Sequence, residues 1–288
     1  KGLRVGIIEN DLGAVNVDRM LLQDAVGDRC DVDMVAAACD KDCYMRRLRT
    51  KFIEMAMLGY DRVLMEPSGA FDVEELFDVI HDDTLERWYE MGSVIAIVDA
   101  GLTTDLSEEA RYLLTSQIAC AGKIVLSRVQ ETDEERQRRT IGYLNEVMEQ
   151  FQCSRRFDKD VLACDWNDLT GEQYDQIAHA GYGVRSYRKL WLADGEGFRS
   201  CYFLSPGMDR QQTETFVSEV FHDKACGKIF RIKGFFRDKE AWQEINAVAN
   251  GCTVRPIREG QDVLIVIGED LDKDRIQGHL DALNQECQ

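Results

Sequence analysis

Apolar residues along this chain fall into short continuous runs, separated by longer stretches in which they recur every three or four positions. Leu3-Arg-Val-Gly-Ile-Ile8, Arg62-Val-Leu-Met65, Val94-Ile-Ala-Ile-Val98 and Lys123-Ile-Val-Leu126 are runs that strands buried in a parallel sheet produce. Between the first two, Met45, Leu48, Phe52, Met55 and Leu58 have near-helical spacing, which predicts a helix over 42–58 with Gly59 as its stop. Val73, Leu76, Phe77 and Ile80 form one side of a helix that begins at Asp72. Ser107-Glu-Glu predicts an N-cap with acids in the first turn, where the helix dipole favours them. Thr132-Asp-Glu-Glu135 reads as the capping box of a long helix running to about Phe151. Strands alternating with helices predict an α/β domain, a mostly parallel sheet flanked by helices.

The rhythm changes after Cys153. Residues 166–192 read as a connector, with a helix near Glu172–His179 and a break at Gly181-Tyr-Gly183. From Phe198 the pattern predicts a strand over 198–204 and a helix capped by Asp209 with Gln212 at its third position. A strand over 228–236, a helix over 239–249, strands over 253–258 and 263–267 and a last helix from Lys273 follow. That order predicts a smaller α+β domain with an antiparallel sheet and helices on one face, in which Phe216, Val217, Val220 and Phe221 are core. The expected division is a first domain over 1–165, the connector over 166–192 and a second domain over 193–288.

Composition narrows the chemistry. The 288 residues carry a net charge of −18 with no compensating basic tract, which argues against nucleic acid as a partner. Lys41, Arg46, Arg47, Arg49 and Lys51 read as a solvated helix face. No apolar run approaches the ~18 residues of a membrane span, and no secretory leader is visible, so the reading is cytoplasmic without membrane attachment. Ten cysteines are scattered without a C-x-x-C pair, which excludes a zinc ribbon or thioredoxin motif and suits thiols in a reducing cytosol. Apart from one cysteine pair taken up below, they read as small buried hydrophobes. His81, His179, His222 and His279 are isolated in sequence and read as surface or core histidines.

The candidate chemistry lies at strand ends. Arg62-Val-Leu-Met-Glu-Pro-Ser-Gly69 is a strand that ends in an acid followed by a glycine turn. In a nucleotide hydrolase such an acid, Glu66, faces a bound metal, and the N–H of Gly69 faces a terminal phosphate. Asn10, Asp11 and Asp99 fall at the same ends of their strands, beyond which ligands sit in open α/β sheets. The expectation is that Asn10, Asp11, Glu66 and Asp99 gather on one rim. No G-x-x-x-x-G-K-[ST] phosphate loop occurs in the 288 residues.

These residues carry a family resemblance. Val5-Gly-Ile-Ile-Glu-Asn-Asp-Leu-Gly-Ala-Val-Asn-Val-Asp18 resembles the strand and switch segment of the CobW-like GTPases, metal-chaperone relatives of nickel-insertion GTPases. Glu66-Pro-Ser-Gly69 is similar to their E-[ST]-S-G turn, and Val98-Asp99-Ala100 to their V-D-A strand end. Ile229-Phe-Arg-Ile-Lys-Gly-Phe-Phe236 and Leu264-Ile-Val-Ile-Gly-Glu-Asp-Leu-Asp272 resemble signatures of the family's C-terminal domain. The matches run in family order along nearly the whole chain.

The resemblance implies a P-loop-NTPase-like first domain that binds GTP, or another nucleoside triphosphate, with Mg²⁺. It implies a metal cargo of Zn²⁺, Co²⁺ or Ni²⁺ and a client metalloprotein. In it, Glu66 and Gly69 serve hydrolysis, Asn10, Asp11 and Asp99 line the nucleotide site, and Ser127, Arg128 and Gln130 stand at the base. It further implies a phosphate loop upstream of Gly2, and nucleoside-triphosphatase activity depends on that segment. Two departures bear on function. Ser127-Arg-Val-Gln130 replaces the family's N-K-x-D, and Gln130 has one acceptor oxygen where an Asp accepts from both guanine N1–H and N2–H₂, which relaxes selectivity for GTP. Ala38-Cys-Asp-Lys-Asp-Cys43 replaces the family's C-x-C-C, leaving Cys39 and Cys43 as the metal thiolates. The alternative reading is a non-hydrolytic homologue that acts as a metal-binding or protein-interaction scaffold.

Overall fold

A computed structural model describes residues 2–10, 22, 30–35, 41–67, 73–158, 160–190, 199–249, 251–258 and 260–285. They fall into two compact units, Lys1–Ala70 with Phe198–Gln288, and Phe71–Gly197.

In the first unit, β1 (Val5–Asn10) lies between β2 (Cys30–Val35) and β3 (Arg62–Glu66), and both pairings are parallel. Parallel neighbours cannot be joined by a hairpin, and α1 (Lys41–Leu58) supplies the crossover from β2 to β3. Tyr44, Leu48, Phe52 and Met55 are buried along one stripe of α1. The helix ends as its sequence predicts: Gly59 takes φ +71° and its N–H donates to the Ala56 carbonyl at 3.1 Å. A Cβ on Gly6 of β1 would lie 2.8 Å from Met55 Sδ, so the helix packs directly on the strand. β2 was not expected from sequence, because acids alternate with its apolar residues. The structure gives those acids partners: Tyr60 Oη donates to Asp31 at 2.7 Å, and Lys51 Nζ to Asp33 at 2.9 Å.

The same unit holds a five-stranded antiparallel sheet of β7 (Arg199–Leu204), β8 (Lys228–Asp238), β9 (Ala241–Val248), β10 (Gly251–Ile257) and β11 (Val263–Glu269), in the order β10-β9-β8-β11-β7. Helices α6 (Arg210–His222) and α7 (Lys273–Gln285) share a core with one face, through Phe216, Val220, Ile276 and Leu280 against Ile232 and Leu264. Asp209 and Gln212 form the predicted reciprocal capping box. The helix expected over 239–249 is instead β9. Lys239, at φ +57°, turns the chain in a two-residue hairpin from β8, and Ile245 and Ala247 alternate into the core. Pairing on both sides of β9 overrides local helix propensity.

The second unit is a parallel sheet of β4 (Ile95–Asp99), β5 (Lys123–Ser127) and β6 (Val161–Ala163), in that order. Its helices are α2 (Val73–Ile80), α3 (Glu108–Ala119), α4 (Glu134–Gln150) and α5 (Gly171–Ala178). The Ser107 side chain caps α3 as predicted, accepting from the Ala110 N–H at 3.0 Å. The cap of α4 is Asp133, one residue later than expected, because Thr132 closes a 3-10 turn over Val129–Glu131. After α5 the chain returns to the start of β4, where the Val94 N–H donates to the Gly181 carbonyl at 2.9 Å. Among the described residues, no helix is long and apolar enough to cross a membrane.

Candidate functional site

In each parallel sheet the strands point the same way, so their carboxyl ends form one edge. In the first unit that edge carries the last residues of β1 and β3. Glu9 and Glu66 are register partners; Glu9 is 3% exposed and Glu66 is exposed. Asn10 follows Glu9 and pairs in register with Val35. Asp11 and Gly69, assigned to the same edge from sequence, lie outside the described residues.

In the second unit the equivalent edge carries Asp99 and the turn after β5. Asp99 and Ser127 are register partners. The Asp99 carboxylate accepts the Gly101 N–H at 2.8 Å through Oδ1 and forms an ion pair with Arg128 through Oδ2. Arg128 adopts the left-handed region (φ 56°, ψ 33°), a strained conformation for an arginine. The Ser127 hydroxyl points back along the sheet, 3.5 Å from the Val98 carbonyl, and Gln130 is exposed on the 3-10 turn. The structure thus groups Asp99, Ser127 and Arg128, with Gln130 two residues on. Asn10 and Glu66 belong to the other unit.

Both turns are braced by α4. Arg136 Nη2 donates to the Gly101 carbonyl at 3.0 Å and to the Leu102 carbonyl at 2.9 Å. Gln137 Nε2 donates to Val129 O at 3.2 Å and Thr132 O at 3.3 Å. Thr140, fully buried, donates its hydroxyl to the Ala100 carbonyl at 2.7 Å, and the Ala100 N–H donates to Ser127 O at 2.9 Å. These three positioning residues were not singled out from sequence. A signal for Thr140 existed: it occupies the core stripe of α4 with Tyr143, Leu144 and Val147, where a polar residue needs a partner.

The donor sets can be compared with the groups they would hold. Mg²⁺ takes oxygen ligands, and Glu66 offers an exposed carboxylate at a strand end. The Asp99–Arg128 ion pair is only partly buried, so it is worth about 0–1 kcal/mol and a ligand can displace it at small cost. A thiophilic ion suits Cys43, half-buried in the first turn of α1; Cys39 lies outside the described residues. Cys30 begins β2 at the end opposite the path into α1. Burial, and then the charge of Asp31, pushes its thiol above the usual range. None of the described cysteines is in a disulfide.

Residues 1–156 match the CobW/HypB/UreG nucleotide-binding domain, and residues 199–284 match the C-terminal domain of the cobalamin synthesis protein CobW. This chain belongs to the CobW/HypB/UreG family. No curated protein matches it. Among solved structures it is similar to the Zn(II)-bound YjiA GTPase from E. coli, at 17% identity over 98% of this chain and 91% of that one, with a TM-score of 0.34. A Zn(II)-bound triple mutant of YjiA GTPase is similar at 16% identity over 98% and 90%, also with a TM-score of 0.34. The two-part organisation of the CobW family, a nucleotide-binding domain and then a C-terminal domain, thus runs through this chain in the order its strand-end motifs suggest.

One sequence expectation for this CobW-family chain is corrected in its C-terminal sheet region. His279, isolated in sequence, is not isolated in space: its ring lies within hydrogen-bond distance of Asp223 and Glu219. The other three histidines make local contacts, His81 with Glu86, His179 with the Asp175 carbonyl and His222 with the Ser218 carbonyl.

Proposed function

We propose that this protein is a GTP-binding metal chaperone or metallocentre-assembly factor, working in the reducing cytosol on Zn²⁺, Co²⁺ or Ni²⁺ for a client metalloprotein. The observation that carries the reading is the pair of turns after β4 and β5. Asp99 and Ser127–Gln130 stand together at the carboxyl ends of adjacent parallel strands, and Arg136, Gln137 and Thr140 hold both turns in place. Ligands of open α/β sheets bind beyond such ends.

In this reading Ser127, Arg128 and Gln130 contact the base. Arg128 releases Asp99 and lays its stem along the purine, while Gln130 offers one acceptor and one donor, which weakens discrimination against adenine. Asn10 and Asp11 form the switch segment, Glu66 orients the attacking water or the metal shell, and the Gly69 N–H meets the γ-phosphate. Bound Mg²⁺ supplies charge neutralisation at the phosphates. Cys39 and Cys43 take the transition metal as thiolates. Residues 1–165 form the nucleotide-binding domain, 166–192 the connector, and 193–288 the C-terminal domain that meets the client.

The test is single-turnover hydrolysis and binding by the full-length natural protein with Mg²⁺. The reading expects saturable GTP binding with slow turnover, and Glu66→Gln keeps binding while reducing turnover by at least about tenfold, in the range of a lost positioning or base residue. Binding without any turnover in the unaltered protein would favour the non-hydrolytic scaffold. Absence of nucleotide binding would remove the proposal.

A further inference from the structure

We propose that Asp223, Cys226 and His279 form a metal site in the C-terminal half, selective for a thiophilic divalent ion such as Zn²⁺ or Co²⁺. Asp223 and Cys226 share one turn, and packing of α6 and α7 brings the remote His279 to them. One ligand oxygen of Asp223, the Cys226 Sγ and one ring nitrogen of His279 all lie within 4.8 Å of one another. Tetrahedral coordination at 2.0–2.3 Å bond lengths needs ligand separations of roughly 3.4–3.8 Å. Side-chain contraction of about an ångström closes that gap.

The backbone fixes two of the donors. Asp223 follows the end of α6 and caps a 3-10 turn over Lys224–Cys226: its carboxylate accepts the Ala225 N–H at 3.0 Å, and its carbonyl accepts the Cys226 N–H at 2.9 Å. The start of α7 is pinned to the same turn, because the Asp272 N–H donates to the Cys226 carbonyl at 3.2 Å. Cys226 is fully buried and the Asp223 and His279 side chains are mostly buried, which gives a site shielded from water.

The third donor is oriented by a carboxylate behind it. His279 Nδ1 lies 3.1 Å from Glu219 Oε2, while Nε2 lies 3.0 Å from Asp223 Oδ2. A proton on Nδ1, held by Glu219, leaves the Nε2 lone pair directed at the Asp223–Cys226 turn. That is the carboxylate–histidine–metal relay in which an outer carboxylate fixes the tautomer of a ligating imidazole. Hydrogen bonds from His279, then from Arg275 Nε at 2.7 Å, then from Ala225, hold the Asp223 carboxyl well below the usual range, so its oxygens are ionised. Burial, and then the Asp223 charge, pushes the Cys226 thiol up to about 11. A sulfur donor in the set favours ions that bond strongly to sulfur over Mg²⁺ or Ca²⁺, and binding sends the thiol proton to solvent. With no metal, the same groups form a hydrogen-bonded network that includes Glu219 and Arg275.

The site uses neither Cys39 nor Cys43, and its test uses the full chain with both of those replaced by alanine. Co²⁺ titration of that double variant is expected to produce a thiolate-to-cobalt charge-transfer band at one equivalent. Zn²⁺ is expected to displace the Co²⁺ and bleach the band. Adding Cys226→Ala or His279→Gln should abolish the band, with far-ultraviolet circular dichroism confirming that each variant is folded. Glu219→Gln should keep the band and weaken Zn²⁺ affinity about tenfold, the low end for loss of a carboxylate behind a ligating histidine. Absence of the band in the double variant overturns the proposal, as does a band that survives both Cys226→Ala and His279→Gln. Equal metal stoichiometry in the unaltered protein and the double variant counts against Cys39 and Cys43 alone.

Discussion

Replacing Thr140 with Val removes one hydroxyl from the second unit and little else. That hydroxyl donates to the carbonyl of Ala100, a fully buried residue directly after Asp99. The substitution leaves a buried acceptor without this donor, which costs about 1–3 kcal/mol. The added methyl recovers part of that only if the site has room, and an interior at close-packed density has little. Taking about 2 kcal/mol, and a urea dependence of about 2 kcal/mol per molar, the unfolding midpoint should fall by about 1 M. Thr140→Ser is the control. It keeps the donor and deletes a methyl, at about 1 kcal/mol. Urea titration followed by tryptophan fluorescence should therefore rank the unaltered protein first, Thr140→Ser second and Thr140→Val last. A Thr140→Val protein as stable as the unaltered one, with Thr140→Ser clearly weakened, would show that Thr140 is plain packing and that the Asp99 turn is not anchored to α4 through it.

Gln130→Asp restores two acceptor oxygens at the position assigned to the base. In the full-length protein it should raise the ratio of GTP to ATP affinity by at least about tenfold, measured by competition against a fluorescent nucleotide; an unchanged ratio would move the base elsewhere. Asp262 gives a pH-dependent prediction in the C-terminal sheet region. Burial raises its folded pKa, opposed by the Gly207 N–H at 2.9 Å, so the group binds its proton more tightly folded than unfolded. Ionisation of Asp262 then destabilises the fold increasingly as pH rises through the raised value, and has no such effect below about pH 4, where the unfolded carboxyl is also protonated. Asp262→Asn, whose amide oxygen can still accept from Gly207, should melt higher than the unaltered protein at pH 7 and equally at pH 3.5; a gain at both values would point to packing instead.

The parallel strands were legible because burial on both faces leaves continuous apolar runs, as in Val94–Val98, and the caps at Ser107 and Asp209 because they obey short-range chemistry. β2 was hidden by Asp31 and Asp33, which are tolerated through Tyr60 and Lys51, partners remote in sequence. β9 was misread because Ala241–Val248 contains good helix formers, and its state is decided by pairing with β8 and β10. At the strand ends, residue types marked Asp99 together with Asn10, Asp11 and Glu66, while Ser127–Gln130 was marked only by the family resemblance; the register of β4 and β5 is what sets Asp99 beside Ser127. The ion pair of Arg128 with Asp99 was not readable, since it depends on a left-handed turn at a residue that is not glycine. In the cluster of Asp223, Cys226 and His279, the part that His279 plays left no trace in spacing either. It exists only because two helices on one sheet face bring His279, midway along α7, against the turn that ends α6.

The central claim is that the strand-end turns handle a nucleotide. Amide hydrogen exchange of the full-length protein, with and without GDP and Mg²⁺, tests it most directly. The account predicts that GDP slows exchange selectively at Asp99–Leu102, at Ser127–Glu131 and near Glu66–Gly69. Saturating GDP that leaves those segments unchanged, or protects only the C-terminal sheet, would contradict it.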